Sequence, residues 1–283
     1  MTTILPRGRR IRVAFTAVQP ICHGAFESDG GNAILFHRQP RLVDGAVVLC
    51  PAVTANSQRG QLRQLVMRDM LDRCGLTPET VPERVWDVLY LTLCNGGALQ
   101  TQETRVVPGD VRKLRAAIPP LSLFGASVLN GMIAGHLQPG PAWLDCADIG
   151  TGPIPAADLA TDHGMVRHLD GDAADGSVLG LTPMPLTIEA VIAGATFRAE
   201  YVITGSELEA SIVAHGLDLL QRLGGKGASG FGQVTVQHDG TGDLWRAWLD
   251  EHVDELRASL QGFADHLHAL VAPAKAKKGK AAA

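Results

Sequence analysis

The sequence predicts an α+β fold: a ferredoxin-like palm whose elements run strand, helix, strand, strand, helix, strand, an order also used by RNA-recognition modules. Three observations predict it. An alternating strand opens the chain, a long amphipathic helix follows the second apolar run, and a glycine-rich turn joins a later helix to a closing strand.

In order, "RRIRVAFTAVQP" sets Ile11, Val13, Phe15 and Ala17 against Arg10, Arg12, Ala14 and Thr16, the period of a strand with one buried face. Pro20 ends it. A long connection, "ICHGAFESDGGNAILFHRQPRLVDG", carries turn residues into "AVVLCPAVTA", an apolar, β-branched run. "NSQRGQLRQLVMRDMLDRCG" predicts a helix over about 57–74, capped by Asn56 or Ser57, with Leu62, Leu65, Val66, Met70 and Leu71 as its stripe and Gly75 as its stop. "VPERVWDVLYLTLCNGG" predicts another, with Pro82 near its start and Gly96-Gly97 after its end. "IPPLSLFGASVLNGMIAGHLQPG" reads as a short loop opening a small-residue helix.

Residues 158–185 are polar, turn-rich and aperiodic, and such a long irregular insertion is disordered or functional. "LTIEAVIAGATFRAEYVIT" supplies two alternating runs around "AGA", read as the middle strands of the palm. "SELEASIVAHGLDLLQRLG" is the second palm helix and "FGQVTVQHD" the closing strand. A last amphipathic helix over about 243–270 puts Leu244, Trp248, Leu256 and Phe263 on one side, and the lysine-rich 272–283 reads as a flexible tail.

Composition bounds the function. At 283 residues, 46% hydrophobic and with 32 glycines, the chain is folded and loop-rich. No apolar run approaches the ~18 residues of a membrane span and no secretory leader is legible, so a cytoplasmic protein is expected. Five scattered cysteines without a C-x-x-C and ten dispersed histidines suggest neither a disulfide framework nor a metal, and no cofactor is expected. The net charge is −4, which by itself opposes nucleic-acid binding, but it is unevenly spread. Residues 1–115 hold 15 Lys+Arg against 10 Asp+Glu, and residues 116–283 hold 10 against 19, so a basic face can form locally.

"RLGGKGASGFGQV" contains a G-x-G-x-x-G at Gly225, Gly227 and Gly230. In a dinucleotide-binding domain that motif follows a strand and opens a helix; here it follows a helix and precedes a strand. No G-x-x-x-x-G-K-[ST] exists in the chain. A nucleotide-dependent enzyme is therefore the distant alternative.

Taken together, "ANSQRGQLRQLV" opening the first helix, "IEAVIAGATFRAEYVI", and "GGKGASGFGQV" after the last core helix resemble the RAMP superfamily of CRISPR-associated proteins. More narrowly, the chain is similar to the backbone subunit of type IV effector complexes, over most of residues 9–237. The resemblance implies a single domain over 1–271, with palm at about 9–60 and 186–240, a helical insertion at 60–150 and a thumb-like hairpin at 158–185. It implies copies stacked head to tail along one guide RNA (crRNA), beside other CRISPR effector subunits, presenting the guide to target DNA or RNA. Such a subunit is a scaffold without turnover.

The residue chemistry fits that implication. The helix starting near Asn56 and Ser57 offers free N–H groups and partial positive charge, and Arg59 and Arg63, four apart, share a face that can meet phosphates. A solvated helix end with an N-cap is the plain alternative. In the glycine loop, the N–H groups of Gly225, Gly227 and Gly230 can line an anion site, with Lys226 giving charge and Ser229 a hydrogen bond. Phe231 is expected in the core. Ser122 and Phe124 are placed near the same groove, and His23 joins the RNA-binding set. For the thumb, Met165, Arg167 and His168 are the implied wedge and its basic neighbours, a mobile acidic hairpin tip being the alternative. An RNA endonuclease of the same superfamily stays open through His23, Glu27 and Asp29, where Asp29 is the candidate catalyst or an ordinary turn residue.

Overall fold

The computed structural model describes residues 8–25, 33–97, 108–128, 131–165 and 186–280, with side chains withheld at 108, 165 and 268–280. Strand β1 (Arg9–Ala17) buries Ile11, Val13, Phe15 and Ala17, as its alternation requires. After the short β2 (Ala33–Ile34) comes a hairpin of β3 (Arg38–Val43) and β4 (Ala46–Val53). Its turn is Asp44-Gly45, both at positive φ, the dipeptide that two-residue hairpins favour. The sequence reading passed over this turn and left β3 inside a connection.

Helix α1 (Ala55–Arg73) starts earlier than expected: its N-cap is Thr54, whose hydroxyl accepts from the Ser57 N–H, so neither Asn56 nor Ser57 is the cap. Helix α2 (Glu83–Leu89) runs into a π-helical turn at Tyr90–Cys94 and leaves the helix at Gly96-Gly97. Helices α3 (Pro108–Ala117) and α4 (Pro119–Phe124) follow. The small-residue helix expected next is replaced by strands. These are β5 (Ala126–Val128) with β6 (Gly131–Ile133) as a hairpin, then β7 (Leu137–Pro139) and β8 (Ala142–Leu144).

Strand β9 (Ala160–Met165) pairs antiparallel with β10 (Leu186–Val191). Strand β11 (Thr196–Ile203), helix α5 (Glu207–Leu219) and strand β12 (Val234–His238) complete the palm. The α5 N-terminus is a capping box, Ser206 with Glu209, visible in the sequence as S-E-L-E. Helix α6 (Asp243–Lys280) carries the helical path through the segment read as a tail, where alanine and lysine are good helix formers.

The main sheet has the order β12-β1-β11-β8-β4-β3, with β7 also paired to β11. Counting the β7–β8 segment as one interrupted strand, β1-α1-β7/β8-β11-α5-β12 is the ferredoxin-like palm, all neighbours antiparallel. The expected fold class holds, but one middle strand differs. Strand β10 was read into the palm; it lies instead in a second sheet, β2-β10-β9, and the palm takes 137–144 from the presumed helical stretch. The reason is local: β7 and β8 are three residues each, split by Gly140-Pro141, too short for alternation to register.

Helices α1 and α5 pack on each other and on the inner face, α1 over β7 and α5 over β1 and β12, burying Leu62, Val66, Met67, Met70, Ile212, Val213 and Leu217 in one core. Helix α6 docks on α2 and α5; its first turn buries Trp245 fully, and the Trp245 backbone N–H donates to Ser211 Oγ of α5. All five cysteines are buried, and burial pushes the Cys50 thiol up to about 12 and Cys74 to about 11, so they are inert at neutral pH. No described helix is long and apolar enough to cross a membrane.

Candidate nucleic-acid interface

Gln58 sets the site. It is fully buried, one turn into α1, and its Nε2 donates to Val53 O at 2.9 Å and Gly140 O at 3.2 Å while Oε1 accepts from Tyr201 Oη at 2.8 Å. One amide thus ties the first turn of α1 to the end of β4, to the β7–β8 break and to β11. With Gln58 inward, Asn56, Gly60 and Gln64 face solvent and Arg59 and Arg63 flank them.

Arg59 and Arg63 meet over one acceptor. Both guanidiniums donate to the Phe124 carbonyl, Arg63 at 2.5 Å, and Arg63 also lies 5.7 Å above the Phe124 ring. Among the described residues neither meets a carboxylate, and the Arg59 Nε is buried without a partner. Burial and the neighbouring Arg59 pull Arg63 down to about 10, so it stays charged at neutral pH while paying for its confinement. Two like charges lacking a counter-ion favour an anion nearby.

They line a groove of about 690 Å³ between α1, the Asn95-Gly96 corner and the β5–β6 hairpin. Two glycines make room for it. A Cβ on Gly96 would lie 2.0 Å from Arg63 Nη1, and one on Gly97 would lie 1.9 Å from Ser127 O. Read from sequence as a helix stop, Gly96-Gly97 therefore also seats Arg63 and docks the hairpin. Gly96, Asn95, Ser127 and Met132 were missed; only the doubled glycine hinted at them. Phe124, expected beside the glycine loop, lines this groove instead, fully buried, so what it offers is its carbonyl, already occupied by the arginines; Ser122, expected with it, is buried beside His136 and does not line the groove.

His23 lies on the other side of the α1 start. Its Nε2 accepts from the Thr54 N–H at 3.2 Å, and burial together with His37 brings its pKa from 6.5 down to about 4. It is a neutral anchor at physiological pH. Cys22, adjacent, pairs with Gly225 through the Gly225 N–H at 2.7 Å, and Gln61 Nε2 donates to Gly224 O at 3.0 Å. The glycine loop is thereby fastened to the same end of α1.

The loop needs glycine for backbone reasons. Gly224 has φ +84° and a Cβ there would lie 2.3 Å from Cys22 O; Gly232 has φ +88° and faces Leu223 O at 2.6 Å. Two of the N–H groups expected to receive an anion are already used, Gly225 by Cys22 and Gly230 by Gly227. The Gly227 carbonyl is bound by Arg222. What the loop presents outward is exposed Lys226, itself at φ 58°, and exposed Ser229, while Phe231 is buried as expected.

The structure thus brings His23, Asn56, Ser57, Arg59 and Arg63 to the first turns of α1, with Phe124 against the arginine pair, and ties the loop that carries Gly225, Lys226, Gly227, Ser229 and Gly230 to the same helix through Gln61 and Cys22, while Ser122 lies apart beside His136. Met165 closes β9 with its side chain undescribed, and Arg167, His168, Glu27 and Asp29 lie outside the described residues. Among the described residues no cluster of His, Cys, Asp or Glu suits a metal.

His23 makes a pH prediction. Its folded pKa is depressed, so its contribution is complete above the unfolded value of 6.5 and is lost as pH falls toward about 4, where the unfolded chain binds a proton the folded chain refuses. Between pH 7 and pH 5 the melting temperature of the wild type falls more than that of His23→Gln, which cannot titrate. Parallel melting curves across that range would remove His23 as an anchor.

No protein-family model matches the sequence, and no curated protein does. The fold nevertheless defines a class: a ferredoxin-like α+β palm elaborated by inserted helices and a second, three-stranded sheet. Its particular likeness is to a chain of a Type IV-B CRISPR complex, with TM-score 0.59 and 18% identity over 82% of this chain and 90% of that one. Csc2 of Thermofilum pendens is similar more distantly, with TM-score 0.38 and 16% identity over 89% of this chain and 80% of that one.

Proposed function

We propose that this chain is a repeated backbone subunit of a CRISPR effector complex and binds guide RNA without reading its bases. The observation that carries the reading is the Arg59–Arg63 pair, two unneutralised guanidiniums in an open groove, on the same end of α1 as the Lys226 loop. The fold shared with a chain of a Type IV-B CRISPR complex supports it. Guanidinium and ammonium groups grip ribose-phosphate irrespective of sequence, which suits a subunit that must repeat along any guide. Its partners are the guide, target DNA or RNA paired to it, further copies of the chain and other effector subunits. The subunit positions RNA and performs no turnover.

Expressed with a CRISPR array, the chain purifies with RNA, giving an A260/A280 ratio well above that of protein alone and elongated arrays in electron micrographs. A nucleic-acid-free, monodisperse monomer under the same conditions would overturn the reading.

A further inference from the structure

The palm sheet has a second face, opposite α1 and α5. Register fixes what stands on it: Arg12 opposite Glu200, Ala14 between Arg198 and Gln237, and Arg198 opposite Trp143. Because Ala14 is small and the chain breaks strand geometry at Gly140-Pro141, these side chains frame a hollow of about 670 Å³. Trp143 is half-buried in its wall, between Leu144 and Ala142, which point into the core.

The arginines of this face are exposed, beside two carboxylates already engaged: Glu200 by Arg10, and Asp239 by the Arg12 backbone N–H. Arg12 is exposed and its guanidinium makes no ion pair among the described residues. Arg198 pairs with Asp145 at 2.6 Å, but its side chain is 64% exposed, so phosphate can compete for it. The Arg41 guanidinium lies 5.3 Å from the Trp143 ring centroid, a cation–π contact on one indole face that a stacking base takes over or shares from the opposite side. An indole with guanidiniums on adjoining strands is the pairing that stacks a base and holds its phosphate.

We infer that the face of the palm that carries no helix among the described residues is a second nucleic-acid site, taking a short stretch of single strand with a base on Trp143 and its phosphates on Arg12 and Arg198. It is separate from the groove at α1, on the other side of the sheet, and does not rest on guide binding. RNA-recognition modules display an aromatic-rich signature on their central strands; here one aromatic is supplied from the neighbouring β8 by register, which no local pattern reveals.

The test uses the full chain as purified and a fluorescein-labelled fifteen-nucleotide oligothymidylate, read by anisotropy against salt and by ultraviolet cross-linking with peptide mapping. Arg12→Ala with Arg198→Ala weakens binding about tenfold and lowers the salt slope by about 1.4, from roughly 0.7 per phosphate contact on a single strand. Trp143→Leu, which keeps apolar contact with the core, weakens it about tenfold as well, stacking on an aromatic ring being worth that much or more per base. Cross-links map to the Trp143 peptide and persist in Arg59→Ala/Arg63→Ala, even if that variant retains no guide. Should Trp143→Leu melt early, the exposed arginine pair decides. Unchanged affinity in the arginine pair, or cross-links confined to α1 and the glycine loop, would overturn the site; an acidic protein partner on this face would give the first of these results.

Discussion

Alanine at both Arg59 and Arg63 weakens RNA binding by about tenfold at 0.15 M salt and lowers the slope of log affinity against log salt by about 1.4. The size follows from counterion release: two phosphates on a single strand contribute roughly 0.7 each to the slope. The loss is uniform across RNA sequences, because neither side chain has a base edge to read. The two residues act as a unit. Each crowds the other's charge and both share the Phe124 carbonyl, so removing one frees the acceptor for the other and costs less than half of the double change. Filter binding at several salt concentrations measures it. An unchanged slope would mean that the pair only staples α1 to the Phe124 carbonyl.

Gln58→Leu destabilises the chain by about 3–5 kcal/mol, because the Tyr201 hydroxyl and the Val53 and Gly140 carbonyls each lose a partner and each such orphan costs roughly 1–3 kcal/mol. At this length the melting temperature falls by roughly 10 °C. Burial raises the Tyr201 pKa, so the phenol stays protonated and cannot escape by ionising. Gln58→Leu combined with Tyr201→Phe recovers part of the loss, since replacing both partners leaves fewer unpaired groups than replacing one. Calorimetry of the single and double variants checks this. A loss below about 1 kcal/mol, or strict additivity, would show that the amide does not clamp the helix. The consequence reaches function, because the same amide fixes the direction in which Asn56, Arg59 and Arg63 project.

Legibility varied with the range of the cause. The buried face of β1, the stripe of α1, the S-E-L-E start of α5 and the buried Phe231 are set by residues a few positions apart, and their patterns are in the sequence. Arg59 and Arg63 were visible as a pair because helical spacing alone places them together. The β3–β4 hairpin was also legible, in Asp44-Gly45, and was passed over. Other features had no local trace. The N–H group of Gly225 looked free because its acceptor, Cys22 O, comes near only once the loop is folded against the chain that follows β1.

By itself the sequence determined the α+β class, the palm's outer framework and the residue types able to hold a polyanion, since alternation, helical periodicity and capping act over one or two turns of chain. Only the tertiary structure decided which segment completes the palm, 137–144 rather than β10, and that Gly96-Gly97 and the Phe124 carbonyl, distant along the chain, enclose the arginine pair. Strand pairing and burial of charge depend on what the rest of the chain brings within a few ångströms, and no window of sequence contains that information.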